Sequence, residues 1–190
     1  MTETPNPNIV DADTLTGEMH PIRRVVLSVG SNLGDRLQNL QGAVNSFADT
    51  PECWVTGVSS VYETDPVDAP EGSEDFLNAI VLIDTTLSAH RLLDRAQAVE
   101  EAYGRERSGE ANEPRPLDVD IIVVGRRTAD DEHLTLPHPR AKDRAFVLVP
   151  WHELEPDAEI PGVGAIADLV EQVDVSTVRL REDLALDRSP

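Results

Sequence analysis

Residues 23–47, RRVVLSVGSNLGDRLQNLQGAVNSF, change from a strand pattern to a helix pattern within a few positions. The first eight residues are rich in β-branched side chains and end at Gly30, which is typical of a buried strand. After a short turn, apolar side chains recur at intervals of three and four: Leu37, Leu40, Val44 and Phe47. This spacing predicts a helix with Asp35 near its N-terminus.

The same two patterns alternate further along the chain. In order they are a strand at 54–62, a loop dense in turn residues at 63–72, a strand at 76–86, a helix from Ser88 to about Gly104, a loop at 105–115 and a strand at 117–124. Together with the first pair they give the order β-α-β-β-α-β. That order predicts an α+β fold, the ferredoxin-like sandwich, in which a mixed four-stranded sheet carries both helices on one face.

The segments on either side of this core have weaker patterns. Residues 1–21 are rich in Pro, Asn, Thr and acidic residues, and are predicted to be a disordered N-terminal extension. Residues 22–185 are predicted to form one domain. Its C-terminal extension is expected to contain an extra strand at 144–149, RAFVLV, and a short helix near 165–170.

The composition is strongly acidic. Thirty-six Asp and Glu residues face sixteen Lys and Arg residues, for a formal net charge of −20. Such a surface repels nucleic acids and anionic membranes, so neither is expected as a partner. No apolar stretch reaches the ~18–20 residues that span a bilayer, the first residues lack a signal-peptide pattern, and Cys53 is the single cysteine. We therefore expect a cytoplasmic protein.

Asp118 and Asp120 lie two residues apart in the last predicted strand. Side chains at i and i+2 of a strand point to the same face, about 6.5–7 Å apart. Buried carboxylates so placed repel each other unless a cation compensates them, and oxygen ligands suit Mg²⁺. Two such ions about 3.5–4 Å apart could bridge the carboxylates to a polyphosphate. The same pattern also fits the exposed end of a strand, so it leaves both interpretations open.

Positive side chains are concentrated in sequence around these two aspartates. Before them come Arg105, Arg107 and Arg115, and after them come Arg140, Lys142 and Arg144. Guanidinium groups bind phosphate oxygens in bidentate fashion and keep their charge. Solvated arginines on an acidic surface would explain each one singly, but not their concentration. An acid pair beside such a cluster is the composition that phosphoryl transfer requires.

Two phenylalanines and an asparagine could bind a planar heterocycle. Phe76 and Phe146 could lie on its two faces, and Asn78 offers a donor and an acceptor to its edge. Core packing is the common role of Phe in a strand, and it remains the alternative. His138 lies between two prolines, where it could donate to a phosphate or cap a turn.

Several blocks of sequence occur together in a fixed order. They are VGSNLGDR at 29–36, SSVYETDPV at 59–67, FLNAIVLI at 76–83, PRPLDVDII at 114–122 and LTLPHPRAKDRAFVLVPWHELEP at 134–156. In these blocks the chain resembles the 6-hydroxymethyl-7,8-dihydropterin pyrophosphokinase family, over residues 25–161. The resemblance implies an ATP-dependent diphosphotransferase of folate biosynthesis. The substrates would be ATP and 6-hydroxymethyl-7,8-dihydropterin, the pterin hydroxyl would attack the β-phosphorus of ATP, and AMP would leave.

The resemblance also implies roles for the matching positions of this sequence. Catalytic roles fall on Arg105, Arg107, Arg115 and Asp120. ATP binding falls on Gln97, Glu100, Arg107, Arg115, Ile121, His138 and Arg144. Pterin binding falls on Thr64, Val67, Phe76, Asn78 and Phe146. Asp118 and Asp120 would hold two Mg²⁺ ions on the ATP phosphates, and the protein is expected to be a monomer.

The sequence also has to be compared with what other functions would require. Residues 111–116 read ANEPRP, where many family members have Arg-Trp-Gly-Pro-Arg-Thr, so a catalytically weakened or dead homologue that binds nucleotide or pterin is the main alternative. A nucleotidyltransferase would place its Gly-Ser close before the acid pair, whereas Gly30 and Ser31 lie far upstream of Asp118. An RNA-binding sheet would need basic and aromatic residues, which this acidic chain largely lacks.

Overall fold

A computed structural model describes residues 10–12, 19–66, 73–105 and 114–188 of the chain. The strands are β1 (Val10–Ala12), β2 (Met19–Pro21), β3 (Arg23–Ser31), β4 (Cys53–Val58), β5 (Tyr62–Thr64), β6 (Phe76–Thr85), β7 (Asp118–Val124), β8 (Ala129–Asp130), β9 (Thr135–Leu136), β10 (Glu159–Ile160), β11 (Gly164–Ala165) and β12 (Val178–Leu180). The α-helices are α1 (Arg36–Ala48), α2 (Ala89–Ala102), α3 (Ala145–Leu154) and α4 (Ile166–Val170). Single 3₁₀ turns lie at Ala141–Asp143 and Val175–Thr177.

Within the residues that the structure describes, the central sheet has six strands. Its order is β12-β5-β6-β3-β7, and β4 also pairs with β6. The predicted order β-α-β-β-α-β is confirmed in β3-α1-β4-β6-α2-β7, and with it the ferredoxin-like sandwich. The expectation of a mixed sheet is wrong, because every pairing described in this sheet is antiparallel. The strands that a helix connects are not neighbours: β6 lies between β3 and β4, and β3 lies between β6 and β7.

Both predicted helices pack on one face of the sheet. Asp35 caps α1 by accepting from Gln38 N at 3.1 Å, and Ser88 caps α2 by accepting from Arg91 N at 3.3 Å. Their apolar faces share one core with the sheet, which includes Leu40, Val44 and Phe47 of α1, Leu92, Ala96 and Val99 of α2, and Val25, Leu27 and Val29 of β3. Each fully buried large apolar side chain contributes about 1.5–3 kcal/mol, so this core accounts for the placement of both helices.

The predicted strand at 54–62 is two strands in the structure. β4 ends at Val58 and β5 begins at Tyr62. Between them, Ser59 donates from its backbone N to Ile80 O at 3.0 Å and accepts from Ile80 N through its hydroxyl at 2.9 Å. A side chain thus takes the place of a backbone group, which interrupts the ladder. The predicted loop at 63–72 is therefore wrong at its start, since β5 continues to Thr64.

The predicted extra strand at 144–149 is wrong, because these residues begin helix α3. A short continuous apolar run fits a buried helix as well as a buried strand, and here the helix forms. Val147, Leu148 and Trp151 of α3 are buried against Val26 and Ile122 of the sheet. This packing covers the sheet face opposite α1 and α2, so helices flank both faces. The short helix predicted near 165–170 is confirmed as α4.

At the N-terminus, β1 and β2 pair as a two-stranded antiparallel ladder. The predicted disorder of residues 1–21 concerns mainly residues 1–9 and 13–18, which lie outside the described residues, and it stays a prediction. Among the residues that the structure describes, no helix is long and apolar enough to cross a membrane.

Candidate active site

The sheet face beneath α3 changes from apolar to polar along the strands. Alternate residues of a strand share a face, so the apolar positions that pack on α3 are followed at intervals of two by polar or small ones. The apolar positions are Val26, Ile80 and Ile122. The residues that follow them beyond the N-terminus of α3 are Ser28 and Gly30 on β3, Asn78 on β6, and Asp120 and Asp118 on β7. All five line one cleft.

This cleft has a volume of about 620 Å³, which is within the range of small-molecule sites. Eight residues with predicted roles line it: Thr64, Phe76, Asn78, Arg115, Asp118, Asp120, Arg144 and Phe146. In the described part of the chain, nine other residues also line it: Ser28, Gly30, Asp65, Arg140, Asp143, Ala145, Val173, Asp174 and Thr177. The last three come from the C-terminal segment between α4 and β12, where the sequence has no pattern that would indicate a site.

Asp118 is held by two arginines. Arg105 donates from Nη1 to its Oδ1 at 2.6 Å, and Arg115 donates from Nη2 to its Oδ2 at 2.8 Å. Each carboxylate oxygen therefore has its own charge-assisted hydrogen bond. Arg115 itself is placed by buried Asn32, whose Oδ1 accepts from Arg115 N at 2.8 Å. No sequence pattern indicates this role of Asn32, which lies in the turn between β3 and α1.

Asp120 faces a third arginine and a histidine. Arg144 donates from Nη1 to Asp120 Oδ2 at 2.8 Å, and His138 Nε2 lies 3.7 Å from the same oxygen. The His138 backbone N donates to Ile122 O at 2.8 Å, which fixes this loop against β7. Burial lowers the pKa of His138, and Arg144 and Arg140 lower it further, against the opposing effect of Asp120. The imidazole is therefore expected to be neutral at pH 7.

The oxygen-ligand chemistry of this acid pair suits Mg²⁺. Among the described residues, no three His, Cys, Asp or Glu side chains are grouped to hold a metal ion. Asp118 and Asp120 supply two carboxylates on one strand face, and Mg²⁺ is commonly bound by one or two carboxylates together with substrate phosphates. The residues present thus fit a metal that takes its remaining ligands from a polyphosphate and water.

Each of the two phenylalanines in the cleft lies against an arginine. The guanidinium carbon of Arg115 is 5.5 Å from the ring centroid of Phe76, and that of Arg144 is 5.4 Å from the ring of Phe146. Both distances are within the range of cation–π contacts. Both rings are half-buried and line the cleft, and Phe146 also packs against the core beneath α3. The aromatic groups and the acid pair are therefore linked through the same arginines.

The amide of Asn78 has a fixed orientation. Its Nδ2 donates to Thr64 Oγ1 at 2.9 Å, and both side chains are buried. The opposite side of the amide faces Gly30, where a Cβ atom would lie 3.2 Å from Asn78 Oδ1. Gly30 thus leaves room for the amide oxygen. With its nitrogen directed at Thr64, Asn78 can offer this oxygen as an acceptor to the cleft.

Several predicted residues do not line the cleft. Glu100 is buried behind β7, where it accepts from Val119 N at 2.8 Å and from Arg105. Ile121 is buried in the core on the α2 side, and Gln97 is half-buried on α2. The predicted roles of these three in ATP binding stay predictions. Arg107 and Val67 lie outside the described residues.

Comparisons with known proteins give one consistent result. The family model of 7,8-dihydro-6-hydroxymethylpterin-pyrophosphokinase (HPPK) matches residues 26–156. The 2-amino-4-hydroxy-6-hydroxymethyldihydropteridine pyrophosphokinase of Mycobacterium tuberculosis is 41% identical over 174 residues, covering 83% of this chain and 89% of the relative. The protein of the same name from Methylorubrum extorquens is 42% identical over 142 residues, covering 73% and 87% respectively.

Solved structures agree on the fold. Wild-type HPPK-DHPS of Plasmodium falciparum with pteroate superimposes with a TM-score of 0.61 at 15% identity, covering 80% of this chain and 42% of that one. This chain thus spans less than half the length of that protein, and at such low identity the likeness concerns the fold alone. The resemblance seen in the sequence blocks is confirmed by the family model and by the relatives. The chain belongs to the 7,8-dihydro-6-hydroxymethylpterin-pyrophosphokinase family.

Proposed function

We propose that the cleft between β7 and the N-terminus of α3 is where this chain carries out the reaction of its family. In that reaction pyrophosphate is transferred from ATP to the hydroxymethyl group of 6-hydroxymethyl-7,8-dihydropterin in folate biosynthesis. The observation that carries the proposal is a single set of contacts. Asp118 and Asp120 share one strand face, arginines hold both of them, and two of these arginines also cover the rings of Phe76 and Phe146.

The acid pair and its arginines form the phosphate half of the site. Asp118 and Asp120 would hold two Mg²⁺ ions, which when bound neutralise charge on the transferring phosphates. When the two carboxylates bind Mg²⁺, they no longer need the three arginines as partners. Phosphate oxygens could then accept from Arg105, Arg115 and Arg144. Guanidinium groups suit this exchange because they bind carboxylate and phosphate with the same fork of donors. His138, whose Nε2 lies 3.7 Å from Asp120 Oδ2, adds one further donor.

The other half of the cleft would bind the pterin. Phe76 and Phe146 offer two aromatic faces to a flat ring, and offset stacking of such rings is favourable. Asn78 would accept from a ring N–H or amino group through its Oδ1, because the hydrogen bond from its Nδ2 to Thr64 fixes the orientation of the amide. The two halves meet at Asp120, where the hydroxymethyl oxygen would approach the β-phosphorus of ATP. Its proton would pass to a carboxylate oxygen of Asp120, and the bond from the β-phosphorus to the oxygen of AMP would break.

The direct test is to incubate the protein with ATP, Mg²⁺ and 6-hydroxymethyl-7,8-dihydropterin and to quantify AMP and ADP. AMP that forms only when the pterin is present is the expected result. ADP would identify a simple kinase instead. If neither product forms while the pterin still binds, the chain is the inactive homologue that residues 111–116 leave open. Omitting Mg²⁺ and titrating it back would test the metal requirement, and the ion count would follow from the dependence on free Mg²⁺.

We also propose that the protein acts as a cytoplasmic monomer that binds neither nucleic acid nor membranes. A net charge of −20 disfavours contact with other polyanions and between copies of the chain. Light scattering coupled to gel filtration would test the oligomeric state, and a mass near twice 20.8 kDa would contradict the monomer.

A further inference from the structure

The C-terminal segment forms one wall of the cleft and lies along its pterin half. Strand β12 pairs with β5, so that Val178 lies opposite Thr64 and Arg179 lies opposite Glu63. Just before it, Asp174 and Thr177 line the cleft. The segment is thus joined by backbone hydrogen bonds to the strand that carries Thr64, the residue that orients the amide of Asn78.

Arg179 makes a second connection from this segment. Its Nη1 donates to Asp65 Oδ1 at 2.9 Å, and its Nη2 donates to Asp75 Oδ2 at 2.8 Å. The last paired residues of the β5–β6 ladder are Thr64 and Phe76, so Asp65 and Asp75 are the next positions on each strand. A single guanidinium therefore joins the two strands at the point where their backbone pairing ends.

Two other arginines contact the same pair of strands. Arg36 donates from Nη1 to Asp75 O at 2.6 Å and to Glu63 Oε1 at 3.0 Å, and Arg181 donates to the same Glu63 oxygen at 3.0 Å. Chance pairing of charges on an acidic surface would not be expected to link one arginine to acidic residues beside both strands. Among the contacts that the structure describes, Arg179 is the one of these three arginines that pairs with the side chains of both Asp65 and Asp75.

We infer that Arg179 is a positioning residue for the pterin half of the site. By holding Asp65 to Asp75, it keeps Thr64 and Phe76 at a fixed separation, and with them the amide of Asn78 and one aromatic face. This inference rests on the proposed assignment of Thr64, Phe76 and Asn78 to the pterin. The acid pair and its arginines lie on other elements, so ATP binding is not expected to depend on Arg179.

The test compares Arg179→Gln and Arg179→Lys with the wild type. Arg126→Gln is the matched control, because Arg126 is exposed and pairs with Glu159 away from the cleft. Pterin binding is measured at equilibrium by fluorescence, with Mg²⁺ and a non-hydrolysable ATP analogue at saturation, and KM values are measured for both substrates. For Arg179→Gln we expect Kd and KM for the pterin to rise about two- to tenfold, as loss of two exposed ion pairs allows. KM for ATP should change less than about twofold on the same scale.

Two further readouts separate positioning from general loss of structure. Arg179→Lys should recover only part of the pterin affinity, because an ammonium lacks the fork that reaches both carboxylates. The difference in pterin affinity between wild type and Arg179→Gln should also shrink as NaCl rises from about 50 mM to about 500 mM, since exposed ion pairs are screened. The melting temperature should fall by no more than about 4 °C.

Three results would overturn the inference: unchanged pterin affinity in Arg179→Gln, an equal rise of both KM values, or the same change in the Arg126→Gln control. Failure of the proposed function is distinct, because the wild-type protein itself would then bind no pterin or form no AMP. In that case the assignment of the pterin half falls, and the inference about Arg179 falls with it.

Discussion

Arg144 donates to Asp120 across 2.8 Å while its guanidinium carbon lies 5.4 Å from the ring of Phe146. One side chain therefore contacts the proposed metal ligand and the proposed stacking surface at once. Arg144 is also the residue from which α3 begins, so the packing of that helix on the sheet fixes its backbone. The position of the phosphate half relative to the pterin half is thus set by the fold rather than by a separate loop.

The first prediction concerns the carboxylate of Asp120. Asp120→Asn removes its charge at nearly constant size, and we expect kcat to fall by about 10²–10³-fold, since a metal clamp on a transferring group contributes several kcal/mol. The rate of AMP formation at saturating substrates is the measurement. Asp168→Asn on α4 serves as a control for loss of one surface acid. Near-normal turnover in Asp120→Asn would refute its assignment as a metal ligand.

A second prediction concerns the hydrogen bond that orients Asn78. Thr64→Val keeps the shape of the side chain but removes the acceptor at 2.9 Å from Asn78 Nδ2. The amide can then turn, and a buried N–H without a partner costs about 1–3 kcal/mol. We expect Kd for the pterin to rise about tenfold, with little change in KM for ATP.

Thr56→Val is the matched control for this substitution. The Thr56 hydroxyl also bonds to a neighbouring strand, here as the donor to Leu82 O at 3.2 Å, but Thr56 does not line the cleft. It should lower stability without changing pterin affinity. Equal pterin affinities in wild type and Thr64→Val would mean that Asn78 does not hydrogen-bond to the edge of the pterin.

Local patterns were sufficient to predict most of the fold. The helices α1 and α2 follow from apolar spacing and from Asp35 and Ser88, because capping and periodicity are properties of neighbouring residues. The prediction of a strand at 144–149 was wrong for the same reason, because it rested on neighbouring residues alone. Its apolar residues have no period, and what makes it a helix is the sheet face beneath Val147 and Leu148, which the local sequence does not reveal.

The candidate site likewise contains residues that the local sequence could place and residues that it could not. Asp118 and Asp120 could be placed together because strand geometry alone directs them to one face. Glu100 is different: the family resemblance implies a role in ATP binding, which stays a prediction, and the structure places its side chain behind β7, where it accepts from Arg105 and Val119 N. Asp174 and Thr177 reach the cleft only because β12 returns to β5, a long-range pairing that leaves no local signal.

A third prediction concerns the contact between α1 and the end of α2. A Cβ atom at Gly42 would lie 1.8 Å from Tyr103 Oη and 2.3 Å from its Cζ. Gly42→Ala should therefore lower the free energy of unfolding by up to about 2 kcal/mol, since the cost of overpacking exceeds the ~1 kcal/mol gain in helix propensity. Chemical denaturation measures the change.

The same substitution in a Tyr103→Ala background gives the opposite expectation. With the ring removed, only the propensity gain remains, and Gly42→Ala should raise stability by up to about 1 kcal/mol. The sign of the effect thus depends on Tyr103. Stabilisation by Gly42→Ala in the wild-type background would contradict the packing seen here.

The last prediction is a pH dependence at alkaline pH. Burial, followed by the hydrogen bond from Tyr62 Oη to Glu153 Oε2 at 2.9 Å, raises the pKa of Tyr62 from 10.0 to about 12. Because the folded-state pKa is the higher one, Tyr62 contributes stability that is fully present below pH 10 and is lost as pH rises towards 12. The stability difference between wild type and Tyr62→Phe should therefore shrink across that interval. Ultraviolet titration of wild type minus Tyr62→Phe should give a midpoint near 12, which Glu153→Gln lowers in part. A midpoint near 10 in the wild type would show that Glu153 and burial leave the phenol unaffected.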